Sequence, residues 1–359
     1  MIYYAKEGQS FDAFHRTAGI KARDDLYEIL NREGFEEIVI PFNNDARINA
    51  NTLSKLVWYF KIKSIWKSAL SKLCKGDKLF IQFPLVEHSP LVTSVFKNIV
   101  KKGVEVYIFI HDLELLRIGI DKHSSFFSRI RLKIEEEGML KLATKIVVHN
   151  NAMMKASIDM GINPNKIVVL KIFDYYLDDL RILKPIDNSK NPIVIAGNLA
   201  KNKALYTYAL PKRPMFNLYG RNYEVDELAT NINYRGSFES DELPYIIANE
   251  GSYGLVWDGE SPDTCCGIYG EYIRVNNPHK TSLYLASGLP VIIWEKAALA
   301  EFIVMEEVGI TISSLAEIDE KIANIQKKEY ERMRNNAIEI GKNLRQGYFT
   351  KRAIEKCVE

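Results

Sequence analysis

The sequence has 359 residues, more than one compact core usually organises, so two domains are expected. Hydrophobic residues make up 47% and charged residues 26%, the composition of a folded soluble chain, and a net charge of +2 excludes a molecule that grips nucleic acid through its overall charge. The four cysteines, Cys74, Cys265, Cys266 and Cys357, form no C-x-x-C pair and no metal-ligand spacing, which fits reduced thiols in a cytosol.

The opening MIYYAKEGQSF lacks the apolar region of a signal peptide. No apolar run approaches the roughly 18 residues needed to span a bilayer. The chain is therefore expected in the cytoplasm, at most touching a membrane from that side. Ile2–Ala5 reads as a strand, Ala22–Arg32 as a helix stopped by Gly34, and Glu37–Pro41 as a strand. Leu53–Leu73 reads as a long helix, and Lys78–Phe83 as a strand stopped by Pro84. Pro90–Lys102 reads as a helix, Val104–Ile110 as a buried strand, Lys145–Val148 as a strand, Asn151–Met160 as a helix and Ile167–Leu170 as a strand. Strands and helices that alternate in this way indicate a parallel α/β domain over residues 1–175.

The acidic, aromatic FDYYLDD and the polar KPIDNSKNP break the alternation, and residues 176–191 read as a linker. A second α/β domain is expected over 192–335. Its strands are Pro192–Ala196, Phe216–Gly220, Ile232–Phe238 and Tyr253–Trp257, with a helix over Asp241–Asn249. Then comes NNPHKTSLYLASGLPVIIW: Asn277 as N-cap, Pro278 at the first helical position, Gly288 as a left-handed stop, and Val291–Trp294 as a buried strand. Leu299–Glu306 reads as a helix, Gly309–Ile312 as a strand, and Glu329–Leu344 as a long charged helix with another after it.

Ligands of open parallel sheets bind beyond the carboxyl ends of the strands. That rule selects Gly197-Asn198, Tyr219-Gly220, Gly236-Ser237-Phe238 and Asp258-Gly259 in the second domain, and Gln82, His111-Asp112 and His149-Asn150 in the first. Lys280, in a first helical turn, opposes the helix dipole unless an anion sits there, and phosphate is the common one. Gly197 lets backbone N–H groups approach a phosphate, with Lys201 or Lys203 adding charge. Each signal also fits a bland turn or cap; two in one sheet suit a diphosphate. No P-loop, G-x-G-x-x-G or Asp-x-Asp occurs, so no metal or other cofactor is expected and lysines and helix ends must neutralise the ligand.

His111-Asp112 closes the apolar strand VEVYIFI. A histidine titrating near neutrality beside a carboxylate can act as a base, yet a satisfied strand-end histidine and an N-capping aspartate fit equally. His149 and His279 read as parts of capped helix starts; Glu87-His88, Asp12 and His15 are loop residues that could face a cleft. Lys55–Lys75 carries six lysines, interleaves Trp58, Tyr59, Phe60 and Trp66, and has no acidic residue. Such a helix suits an anionic membrane surface, or else an ordinary core or oligomer-contact helix with a solvated lysine face.

AGNLAKN, LYG, GSF…DEL, YGLVWDG and NNPHKTSLYLASGLPVII together resemble the nucleotide-sugar-binding half of a GT-B glycosyltransferase. FIHDLELLR, KIVVHNNAM and FDYYLDD extend the resemblance over most of the chain, toward the bacterial subfamily of the adhesin second-step glucosyltransferase and the β-1,6-galactofuranosyltransferases. The resemblance implies two Rossmann-like domains facing across a cleft, a UDP-sugar donor in the second and a glycan acceptor, lipid-linked or protein-linked, in the first. It implies donor contacts at Gly197, Asn198, Lys201, Gly236, Phe238, Tyr245, Asn277, Lys280 and Thr281, and a base at Asp112 or His111 if the reaction inverts. It further implies a homo-oligomer and a chain end, 336–359, that crosses back to the first domain. One departure stands out: where many GT-B enzymes carry E-x7-E, this sequence has Val275 and Leu283. The alternatives are an epimerase of the same fold and a non-catalytic partner of another transferase.

Overall fold

The computed structural model describes residues 1–8, 18–41, 52–120, 126–178, 189–200, 204–224 and 229–359. Two six-stranded sheets form its frame. The first contains β1 (Ile2–Glu7), β2 (Glu36–Ile40), β3 (Lys78–Phe83), β4 (Glu105–Ile110), β5 (Lys145–Val148) and β6 (Ile167–Val169), in the order β2-β1-β3-β4-β5-β6. The second contains β7 (Ile193–Asn198), β8 (Phe216–Arg221), β9 (Ile232–Gly236), β10 (Gly254–Val256), β11 (Val291–Trp294) and β12 (Gly309–Ile312), in the order β12-β11-β10-β7-β8-β9. Every pairing is parallel. The central strands are buried on both faces, which is why β4 and β11 read as unbroken apolar runs.

The strand orders fix where ligands can bind. In the first sheet the chain steps outward from β1 to β2, then returns to place β3 on the other side of β1. In the second it steps from β7 to β8 and β9, then returns to place β10 beside β7. Neighbouring connections diverge at these two switch points and leave a crevice at the strand carboxyl ends. Glu7 ends β1, and Gly197-Asn198 ends β7.

Two expected boundaries move. The packed chain runs past residue 175 into the expected linker: Ile172, Phe173, Tyr175 and Leu177 are buried, and the N–H groups of Tyr175 and Leu177 donate to Leu344 O and Arg345 O, each at 3.2 Å. Its aromatic rings win over its acidic charges, and the one buried acid, Asp174, accepts N–H bonds from Phe349 and Thr350 at 3.2 and 2.6 Å. Residues 179–188 of the expected linker lie outside the described residues. The return to the first domain also starts later than residue 336. The helix Lys327–Arg345 stays on the second domain, where a Cβ on Gly341 would stand 2.3 Å from Leu285 O. Gly347, at φ +73°, then turns the chain into the helix Tyr348–Val358. That helix meets the first domain through Lys78 Nζ to Val358 O at 3.3 Å and the Lys351–Glu33 pair at 3.2 Å.

Candidate functional site

A cleft with about 510 Å³ of open space lies at the β7/β10 switch point. Ala196, Gly197, Tyr219 and Gly220 form its floor, Ser237, Phe238, Ser240 and Leu243 one side, and Tyr175, His279, Lys280 and Leu283 the other. Glycine is obligatory in the floor. Gly197 and Gly220 pair across β7 and β8 at φ +132° and +152°, and a Cβ on Gly220 would stand 1.7 Å from Gly197 O. Asn198 Oδ1 accepts Ala200 N–H and Asn222 Nδ2–H, both at 3.1 Å, which fixes the turn after β7.

The helix His279–Ala286 points its first turn at this floor. Its stop is the one the sequence indicates, with Gly288 left-handed at φ +69°. Its start differs: Pro278 is the N-cap, and Asn277 stands outside the helix, 4% exposed. Asn277 is drawn into the first domain instead. Its Nδ2 donates to His149 O at 3.1 Å and Lys171 O at 2.9 Å, its Oδ1 accepts from Asn150 Nδ2 at 2.7 Å, and its N–H donates to His149 Nδ1 at 3.0 Å. The polar atoms of this side chain are thus engaged between the domains.

Lys280 lines the cleft but already has an anion. Its Nζ donates to Asp258 Oδ1 at 2.9 Å and to Trp257 O at 3.1 Å. The lysine that opposes the helix dipole is thus held by a carboxylate at the end of β10, with side-chain exposures of 12% and 7%. Thr281 is fully buried with its hydroxyl unpaired, and Tyr245 lies outside the cleft lining. Gly236, at φ +86°, ends β9 and leads into Ser237 and Phe238. Lys201, Lys203, Asp12 and His15 lie outside the described residues.

Toward the first domain, His279 Nε2 donates to Asp174 O at 3.1 Å, and its ring stacks on Tyr175 with centroids 5.1 Å apart. Phe173 joins three imidazoles: His111 stacks on it at 5.5 Å, and His149 and His279 meet its edge at 4.7 and 6.1 Å. Burial, first of all, pushes His149 and His279 down to about 4 and His111 well below its ordinary value, so all three are neutral at pH 7. The Tyr272 hydroxyl accepts Leu113 N–H at 2.9 Å and lies close enough to Asp112 for the carboxylate to add to burial in raising the phenol's pKa. His88 and Glu87 sit apart, His88 beside Glu135 at 3.4 Å. Tyr175, Ser240 and Leu243 escaped the strand-end rule, and His279 looked like a mere cap neighbour. The signal that could have found them is the junction FDYYLDD: an aromatic segment at a domain boundary lines the cleft it crosses.

Residues 9–172 match the glucosyltransferase 3-like N-terminal domain and residues 193–357 the glucosyltransferase 3-like C-terminal domain. The chain belongs to the glucosyltransferase 3-like family. Among its relatives is the β-1,6-galactofuranosyltransferase WbbI of Escherichia coli K12, 30% identical over 346 residues, 96% of this chain and 95% of WbbI. Glucosyltransferase 3 of Streptococcus gordonii is 25% identical over 99% of this chain and 96% of its own. Among solved structures, Anabaena HepE in complex with UDP superposes with a TM-score of 0.60 at 12% identity, over 99% of both chains. WaaG, a glycosyltransferase of lipopolysaccharide biosynthesis, gives 0.55 at 12% identity over 98% of both. This glucosyltransferase 3-like chain is a glycosyltransferase with the GT-B arrangement of two Rossmann-like domains, as its sequence motifs imply.

Proposed function

We propose that the chain moves galactofuranose or glucose from UDP to a hydroxyl of a glycan acceptor, lipid-linked or protein-linked, in cell-surface polysaccharide or glycoprotein synthesis. The observation that carries this reading is the cleft at the β7/β10 switch: paired strand-end glycines, a helix start and Lys280 converge on one space with an aromatic wall. Gly197 and Gly220 let backbone N–H groups reach the phosphates, and Tyr219, Phe238 and Leu243 give the base an apolar face. Lys280 stabilises the UDP leaving group as charge develops on it, and Asp258 holds the ammonium in place until then. If the reaction inverts, Asp112, beside Tyr272, or a neutral His111 is the base opposite the donor. Among the described residues no group of three or more His, Cys, Asp or Glu side chains is placed to hold a metal ion.

Incubation with UDP-glucose, UDP-galactofuranose, UDP-galactose and UDP-N-acetylglucosamine, followed by melting shift and UDP release, tests the reading. One of the four is expected to raise the melting temperature and to be turned over. No UDP binding by calorimetry overturns it in favour of a non-catalytic partner, and an epimerised sugar-nucleotide without acceptor overturns it in favour of an epimerase. The relatives' names as transferases favour transfer.

A membrane-side location is a second part of the reading. On the helix Thr52–Ala69, Leu56, Val57 and Phe60 are 48%, 62% and 55% exposed beside Lys55 and Lys61, while Ile62 and Trp66 enter the core. Exposed apolar residues among lysines, on a helix that carries no acidic residue, suit the headgroup layer of an anionic bilayer. No described helix is long and apolar enough to cross one. Retention on phosphatidylglycerol vesicles at low salt, lost in Val57→Ser/Phe60→Ser, is the expected result; a concentration-dependent dimer that the same variant dissolves would mark the helix as a contact between copies.

A further inference from the structure

The two faces of the first sheet are covered differently. On one lie the helices Ala18–Arg32 and Tyr348–Val358, whose charges pair: Lys21 with Asp25, Arg32 with Glu28, Lys351 with Glu33 and Arg352 with Glu355. On the other lie three helices side by side, Thr52–Ala69, Thr93–Lys101 and Phe126–Leu142. Trp66 of the first meets Phe96 of the second with ring centroids 5.3 Å apart, and Ser89 Oγ, just before the second, donates to Tyr59 O at 3.1 Å. Gly138 of the third abuts the second, where its Cβ would stand 3.0 Å from Thr93 Cγ2. Residues 52–75 and 93–102 contain no acidic residue, and Lys55, Lys61, Lys67, Lys97 and Lys101 are exposed along them. The third helix adds apolar surface instead. Its Lys133 and Lys141 share Glu137 at 3.9 and 2.9 Å, whereas Ile130 and Ile134 are 41% and 51% exposed. Ile134 precedes Gly138 by one turn, so this apolar stripe leans toward the middle helix.

Both exposed apolar stripes, Leu56-Val57-Phe60 and Ile130-Ile134, sit in the first halves of their helices. These helices end just before β3 and β5 begin, so their first halves lie at the carboxyl end of the sheet and can reach one plane together. A flat partner that covers this face must be negative and must also offer an apolar layer. A second copy of the chain, seated by the same face across a two-fold axis, would set one lysine-bearing patch against another. A nucleic acid backbone supplies negative charge but no apolar layer. An anionic bilayer supplies both, phosphates at its surface and acyl chains just beneath.

We infer that the three helices form one docking face for an anionic phospholipid bilayer. Leu56, Val57 and Phe60 enter the headgroup layer from the first helix and Ile130 and Ile134 from the third, while Lys97 and Lys101 lie on phosphates between them. The face extends the contact proposed above for Thr52–Ala69 and rests on it, and its test separates the two. Sedimentation of the full chain with vesicles of phosphatidylglycerol and phosphatidylcholine at low salt measures the partition. Ile130→Ser/Ile134→Ser and Lys97→Gln/Lys101→Gln are each expected to lower it at least fivefold, and the lysine variant should also respond less steeply to the phosphatidylglycerol fraction. Val304→Ser/Met305→Ser removes apolar residues that are 55% and 72% exposed on the second domain, and should leave the partition within twofold. All these side chains are exposed, so every variant is expected to melt with the natural protein and to bind UDP as it does. A partition unchanged in both first-domain variants but lost in Val57→Ser/Phe60→Ser overturns the three-helix face and keeps the single-helix contact. No retention of the natural protein at any phosphatidylglycerol content overturns both. A dimer that Ile130→Ser/Ile134→Ser dissolves, or binding to heparin that rivals the vesicles, overturns the bilayer as the partner.

Discussion

On the proposed reading, the charge of Lys280 serves a fold and a ligand together. Its ammonium is bonded to Asp258, and a bound diphosphate would take over part of that bond. Charge-assisted hydrogen bonds contribute about 1.5–3 kcal/mol, so Lys280→Ala is expected to weaken UDP binding by roughly 10- to 150-fold in calorimetry. The same change leaves the Asp258 carboxylate buried and alone, so the melting temperature should fall as well. Lys280→Ala/Asp258→Asn separates the two roles: it should regain the stability and not the affinity, whereas a purely structural lysine would show both recovered. His149 carries a different kind of test. Its Nδ1 accepts from Asn277 and its Nε2 donates to Ile110 O at 3.1 Å, an arrangement that needs the neutral ring. Burial lowers its folded pKa from 6.5 to about 4. Below pH 6.5 the unfolded chain therefore binds the proton that the folded chain refuses, and this residue's share of the stability falls as pH drops from 6.5 to 4. His149→Gln should lower stability at pH 7 but flatten that acid limb by about 1–3 kcal/mol in melts between pH 7 and 4.5; an unchanged slope would remove His149 as its source.

At the scale of elements, what was legible in the sequence was what neighbours along the chain decide. The strand Val291–Trp294 and the left-handed Gly288 that precedes it follow from local apolar run and local backbone demand, and both stand where they were read. The start of the same helix lies one residue later than the sequence indicates, because Asn277 is an equally good N-cap and interdomain amide, and only the opposed domain decides between them. Tyr175 and His279 could not be read as site residues for the same reason: partners far along the chain give each its role. The helix Lys327–Arg345 illustrates the packing that sequence conceals. It crosses His279–Ala286 so closely that Gly341 has no room for a side chain, since a Cβ would meet Leu285 O at 2.3 Å and Ala286 Cα at 3.3 Å. Gly341→Ala forces backbone apart on both elements, and its expected cost is about 1–3 kcal/mol despite alanine's better helix propensity. A denaturant melt that shows Gly341→Ala to be neutral or stabilising would mean the two helices can separate freely. The change should also weaken UDP binding modestly, because the helix it displaces carries Lys280.

Across the whole molecule, the two sheets put their switch points on opposite sides of one junction, and the segments that cross it double as cleft walls. Phe173 and Tyr175 belong to the crossing chain and touch residues of both domains, and the last helix returns to lock Asp174 from behind. Lys21 spans the opening itself. Its ammonium is 2.7 Å from Asp25 in its own domain, 2.6 Å from Asp241 in the other, and lies over the Tyr175 ring. Tyr175 OH donates to Ser240 O at 2.6 Å beside it, so residues 240–241 are held against the crossing segment where they border the donor cleft. On the proposed reading, a nucleotide entering or leaving the cleft loosens this clasp. Asp241 is 71% exposed, so water screens its side of the pair, and the bond is worth no more than the roughly 0.2–1 kcal/mol of a surface ion pair. Asp241→Ala keeps the Lys21–Asp25 pair and should leave the melting temperature nearly unchanged. Its effect belongs in kinetics: UDP dissociation in a stopped-flow displacement experiment is expected to speed up about 1.5- to fivefold, with less change in association. The gain should shrink at high salt, because the contact it removes is electrostatic. An unchanged dissociation rate at low salt would show that the domains part elsewhere, and that Lys21 serves only to neutralise Asp25 inside the first domain.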